Sequence, residues 1–71
     1  MKPEEIKPNL NKKVRYKNSH AGIDAEYILS GALFRRNEKG FYYQAELQDL
    51  KNNKSILICN IEDVEVYNDS I

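Results

Sequence analysis

Residues 41–50 read FYYQAELQDL, and their order decides the fold class. Phe41, Tyr43, Ala45 and Leu47 share one parity, and Tyr42, Gln44, Glu46 and Gln48 share the other. A β-strand sends successive side chains to opposite faces, so this stretch is a strand with an apolar and a polar side. A helix would spread the same residues around its circumference. Phe41, Tyr43, Ala45 and Leu47 are therefore expected to be buried, with Gln44 and Glu46 exposed.

Turn sequences bound this strand on both sides. Before it, Asn37-Glu38-Lys39-Gly40 places a glycine where a hairpin loop built on a type I turn needs a left-handed residue. After it, DLKNNK at 49–54 is a turn in which Asn52-Asn53 tolerates positive φ. Upstream, residues 26–36, EYILSGALFRR, form a second strand whose phase is divided. Tyr27, Leu29 and Leu33 share one parity, and Ile28, Ala32 and Phe34 the other, with Gly31 between them. Glycine inside a strand marks a bulge or bend, so both parities are expected to be partly buried.

Further out, residues 13–16 form a short first strand, Val14 and Tyr16 inward, Lys13, Arg15 and Lys17 outward. NSHAG at 18–22 is a loop. Residues 55–60, SILICN, form a fourth strand without alternation, so both of its faces meet apolar surface. Two explanations stay open for it: a central strand covered by the N-terminal arm, or a dimer seam through Ile56 and Ile58. Residues 60–63 read as a 3₁₀ turn, with acids favouring its start. Residues 64–67 form the last strand, with Val64 and Val66 inward. Residues 1–11 are an arm in which Pro3, Glu4 and Glu5 open at most one helical turn before Pro8 stops it. Ile6 or Leu10 pins that arm, and residues 68–71 are a frayed tail.

The chain has 71 residues, enough for a single domain, here 12–67 with its arm and tail. It is 41% hydrophobic and 31% charged, an ordinary balance for a globular chain rather than a disordered one. No apolar run approaches the roughly 20 residues of a membrane-spanning helix, and residues 1–13 lack a signal-peptide core, so a cytoplasmic protein is expected. Cys59 is alone, which excludes an intrachain disulfide and points to a reduced, partly buried thiol. Nothing spaces a second metal ligand or a nucleophile near His20, and the three glycines are too scattered for a phosphate loop. Asp49, Glu62, Asp63 and Glu65 are accounted for as solvated surface. A non-catalytic protein is expected, with no catalytic residue, metal or cofactor.

The net charge of zero hides an asymmetry: residues 1–40 carry nine basic side chains against five acids, and residues 41–71 two against six. Such asymmetry marks either a mixed solvated surface or an interaction surface.

The order of elements resembles the SH3-like small barrel, the group that includes SH3, Tudor and KOW-type domains. The residues that carry the likeness are Phe41 to Leu47, similar to the aromatic-led central strand of Tudor-like domains, and Asn60-Ile61-Glu62-Asp63-Val64-Glu65-Val66, similar to the 3₁₀-then-strand closure of SH3 domains. The resemblance spans about residues 12–67 and implies an all-β, five-stranded antiparallel SH3-like barrel with a short N-terminal arm and a 3₁₀ turn before the last strand. The chain departs from SH3 peptide grooves in its first long loop, residues 18–24, which has no aromatic. Tyr16, Tyr27, Tyr42 and Tyr67 are the tyrosines available for a Tudor-type cage, and core or rim positions explain most of them. In size, composition and pattern the chain also looks like short proteins of Gram-positive bacteria and their phages or mobile elements.

Two functions follow as expectations. One is a protein-interaction module, an adaptor, inhibitor or accessory subunit, binding another protein or a second copy through Ile56, Ile58, Tyr42 and Gln44. The other is a nucleic-acid-binding barrel using Lys12, Lys13, Arg15, Lys17, Arg35 and Arg36, with an exposed tyrosine such as Tyr42 for stacking. Zero net charge favours the first, because phosphate binding usually leaves a basic excess.

Overall fold

The alternating stretch becomes the ten-residue strand β3 (Gly40–Asp49) in a computed structural model that describes residues 1–52 and 54–67. The other strands are β1 (Lys13–Asn18), β2 (Ile23–Asn37), β4 (Ile56–Asn60) and β5 (Val64–Val66). All neighbouring pairs are antiparallel, in the order β4-β3-β2-β1-β5. A 3₁₀ turn, Ile61–Asp63, joins β4 to β5. The all-β, five-stranded fold expected from the sequence is present, with its arm and its 3₁₀ turn. The tail expected at 68–71, and Asn53 of the 49–54 turn, lie outside the described residues.

The sheet curls, for a reason of length. In a flat five-stranded sheet β4 and β5 would lie about 19 Å apart, four spacings of ~4.8 Å. A 3₁₀ segment of this size advances only about 8 Å from Asn60 to Val64. The two sheet edges must therefore approach one another. They do so around one core: Val14, Tyr16, Leu29, Ala45, Leu47, Cys59, Ile61 and Val64 are all buried. Every strand and the 3₁₀ turn contribute to it. Among the described residues no ladder joins β4 to β5, so the sheet is open at that seam.

β2 makes the curl possible by serving two neighbours. Its first part pairs with β1 from Ile23 to Ile28, and its later part pairs with β3 out to Asn37. The register slips between Leu29 and Gly31, which makes Ser30 the extra residue of a bulge. Leu29 faces the core before the slip, and Ala32 and Phe34 take the core-side parity after it. Ala32 and Phe34 are nonetheless exposed, so the partial burial expected of their parity holds at Ile28 and not beyond the bulge. A methyl group at Gly31 would come within 3.0 Å of Glu46 Oε2, the oxygen that accepts a hydrogen bond from Ser30 Oγ at 3.0 Å. The glycine leaves room for this bond across the bulge.

Several expectations need correction. Phe41 is 67% exposed rather than buried. β4 pairs with β3 only between Gln44 and Gln48, so among the described residues no third strand lies beside Phe41. Gln44 and Glu46 are half-buried rather than exposed, because the ladders on both sides of β3 crowd them. Tyr43 is half-buried, while Ala45 and Leu47 are fully buried. In the arm, a 3₁₀ turn (Pro3–Glu5) runs directly into the short helix α1 (Ile6–Asn9), which contains Pro8. Pro8 lies in the first turn of α1, where a backbone N–H has no helical partner to lose. Ile6 packs on the core and Leu10 is 40% exposed, so Ile6 is the pin. The Met1 nitrogen donates to the Ile61 carbonyl at 2.9 Å and to the Val64 carbonyl, tying the arm to the 3₁₀ turn and β5. The arm is thus not the cover of β4 that one explanation required. β4 is an edge strand, and Ile56 and Ile58 are 57% and 43% exposed.

Candidate functional site

Ladder partners share a face, which sorts the surface residues into three groups. The first lies on the two-stranded ribbon of residues 33–37 and 40–43, where β2 and β3 run beyond their other neighbours. Its core-side face carries the pairs Arg36↔Phe41 and Phe34↔Tyr43. Phe34 stacks on Phe41 with ring centroids 5.0 Å apart and on Tyr43 at 4.8 Å. The Arg36 guanidinium carbon stands 5.7 Å from the Phe41 centroid. The strip continues the inner face of the sheet into solvent. Phe34 is 61% exposed. Ribbons of this kind form because Gly40, at φ +126°, closes the loop, where the Lys39 N–H donates to Asn37 Oδ1 at 2.8 Å.

The second group is the outer face of β2, β3 and β4. Gln48 pairs with Ile28 and Ile56, Glu46 with Gly31 and Ile58, and Gln44 with Leu33 and Asn60. Tyr42 follows on the same parity, opposite Arg35. The four residues expected at a protein interface, Ile56, Ile58, Tyr42 and Gln44, thus share one face. A polar row on β3 runs there between apolar residues on β2 and β4. The Arg35 guanidinium donates to Gln44 Oε1 at 3.4 Å.

The third group is the outer face of β1 with its neighbours. Arg15 donates to Asp24 Oδ1 at 2.6 Å, and Lys17 lies 3.3 Å from Glu65. The Tyr67 hydroxyl donates to Glu26 Oε2 at 2.5 Å. The hydrogen bond to Asp24 holds the Arg15 pKa above its ordinary value, and the same bond lowers that of Asp24. The bond to Glu26 raises the Tyr67 pKa. These are exposed pairs, each worth little in stability.

The six basic residues considered for nucleic acid do not converge. Lys13, Arg15 and Lys17 share the outer face of β1, and Arg15 and Lys17 already face acids there. Arg35 and Arg36 point to opposite faces of the ribbon, about seven residues along β2 from the partner of Lys13, or ~23 Å. Lys12 is exposed at the end of the arm. The tyrosines are equally dispersed: Tyr16 is buried against Tyr27 in an edge-to-face pair, and Tyr42 sits near the ribbon tip.

Among the described residues His20 and Cys59 do not form a nucleophile–base pair. His20 is exposed in the β1–β2 turn, while Cys59 is buried in β4. Burial, with a smaller contribution from Asp63, pushes the Cys59 thiol up to about 11. Among the described residues no group of His, Cys, Asp and Glu is arranged to hold a metal ion, and no helix is long and apolar enough to cross a membrane.

Comparison with protein-family models, with curated proteins and with solved structures finds no match to this chain. The surface itself is therefore the basis for a functional reading. Phe34 and Phe41 were not among the residues expected at a binding surface. Residue type and spacing did not single them out, because their exposure depends on where β1 and β4 stop.

Proposed function

We propose that this protein is a small non-catalytic protein-interaction module, an adaptor, inhibitor or accessory subunit, that engages its partner through the aromatic ribbon of β2 and β3. The observation that carries this reading is the exposure of Phe34 and Phe41, 61% and 67%, on one stacked strip with Tyr43 and Arg36. Aromatic and arginine side chains are the types enriched in interface cores, and exposed aromatic strips rarely persist without a use. The strand order and the 3₁₀ turn support the likeness to SH3-like barrels, whose rigid sheet would hold such a ribbon in place. Ring orientation favours protein over nucleic acid. The rings turn faces toward one another and toward Arg36, whereas a base-stacking platform leaves ring faces open.

Phe34→Ser with Phe41→Ser tests the reading. The variant keeps its sheet by circular dichroism, because neither ring is in the core. A partner captured by the wild type from cells that make the protein is lost. Capture that survives the double substitution removes the ribbon as the binding surface.

A second contact involves another copy of the chain. Ile56 and Ile58 are exposed on the outer face of the edge strand β4, where the same face of a second copy packed against it would cover both. Ile56→Thr with Ile58→Thr is expected to yield a folded monomer from a wild-type dimer, since threonine suits an exposed strand position. Light scattering reads the change, and a wild-type mass of one chain at high concentration rejects the dimer.

A further inference from the structure

We propose that the open edge of β2 along residues 30–37 receives, as an added strand, an extended segment of a partner protein that is apolar at one end and acidic at the other. The inference rests on the interaction-module reading and specifies its ligand and its mode of binding.

The edge is open because β1 leaves it early. β1 pairs with β2 only as far as Lys13↔Ile28. The arm adds two more bonds, from the Asn11 N–H to the Leu29 carbonyl at 2.7 Å and from the Leu29 N–H to the Lys12 carbonyl at 2.9 Å. Asn11, at φ +66°, then turns the chain away. From Ser30 to Asn37 no backbone partner occupies that side among the described residues, while β3 holds the opposite side through Asn37↔Gly40. An edge of this length spans about 26 Å, enough for a full strand. A strand edge presents N–H and C=O groups on alternate residues, ready for pairing with another chain. Ser30, Gly31 and Ala32 are small, so little side chain stands between the first part of this edge and an approaching backbone.

The side chains beside the edge define what would bind. An added strand places its side chains alongside the two rows that β2 presents. The core-side row is Ala32, Phe34 and Arg36, and the outer row is Gly31, Leu33 and Arg35. Both rows change in the same direction, from small and apolar at the bulge to cationic at the tip. Lys39 adds a further cation in the loop, against Glu38 alone. Neither Arg35 nor Arg36 is in an ion pair among the described residues; one contacts Gln44 and the other Phe41. A segment with apolar residues beside Phe34 and Leu33 and carboxylates beside Arg35 and Arg36 matches both rows at once.

The test uses the full chain, isotope-labelled, and synthetic peptides in which a Val-Thr-Val-Thr stretch is joined to Glu-Glu at one end, made in both sequence directions. One direction is expected to bind saturably and to slow the amide exchange of alternate residues between Ser30 and Asn37. Replacing Glu-Glu with Lys-Lys, or Arg35 and Arg36 with Glu, is expected to weaken binding at least about tenfold. Absence of binding by both peptides, binding that protects no amide along this edge, equal binding of the Lys-Lys peptide, or protection of the edge by oligo-dT instead overturns the proposal. If the edge stays unprotected while Phe34→Ser with Phe41→Ser still abolishes partner capture, strand addition fails and the interaction-module reading stands.

Discussion

Leu47→Ala lowers the melting temperature of the domain by about 10–30 °C, whereas Phe41→Ala, six positions earlier on the same parity of β3, shifts it by only a few degrees. Leu47 is fully buried, with Leu29 beside it on β2 and Leu57 beside it on β4. Truncating a buried leucine removes its transfer energy and leaves a cavity, together about 2–5 kcal/mol. A domain of 71 residues has roughly 4–11 kcal/mol to lose, so the change takes a large share of the total. Phe41 has ribbon neighbours but, among the described residues, no covering strand, and it is already two-thirds exposed. Thermal unfolding followed by circular dichroism compares the two variants. Equal shifts would show that the ribbon strip is part of the core and would undo the division between scaffold and binding surface.

Native Cys59 reacts with an alkylating reagent about a hundredfold more slowly at neutral pH than an accessible cysteine. Its thiol is buried and pushed from 9.0 to about 11, so the reactive thiolate is scarce. Sulfur access is restricted as well, since the side chain lies in the core with Ala45 across the ladder. The same shift makes stability pH-dependent in a defined direction. The unfolded chain releases the thiol proton first, so the contribution is complete below pH 9.0 and declines as pH rises through about 11. Cys59→Ala removes this part of the alkaline decline. Labelling also reports opening of the sheet, so Leu47→Ala should accelerate it while Phe34→Ser with Phe41→Ser should not. Rapid labelling of the native wild type would place Cys59 at an accessible site and contradict the buried β4 face.

The sequence by itself determined which side the residues of β1, β3 and β5 take. The parity of Phe41, Tyr43, Ala45 and Leu47 is a local consequence of strand geometry and reappears intact in β3. Gly31 marked the bulge, and Asn60 to Asp63 marked the turn that folds β5 back toward β4. What only the tertiary structure decided is how far along each strand the cover extends. Burial depends on the segments lying across from a residue, and their lengths and registers are non-local. β4 ends opposite Gln44 and β1 leaves β2 at Ile28, so one inward row is core at Ala45 and solvent-exposed at Phe41. The same ladders bring Arg15 to Asp24 and Lys17 to Glu65. Residue type and spacing carry no information about these encounters, because each is made between chain segments whose relative position exists only once the sheet has curled.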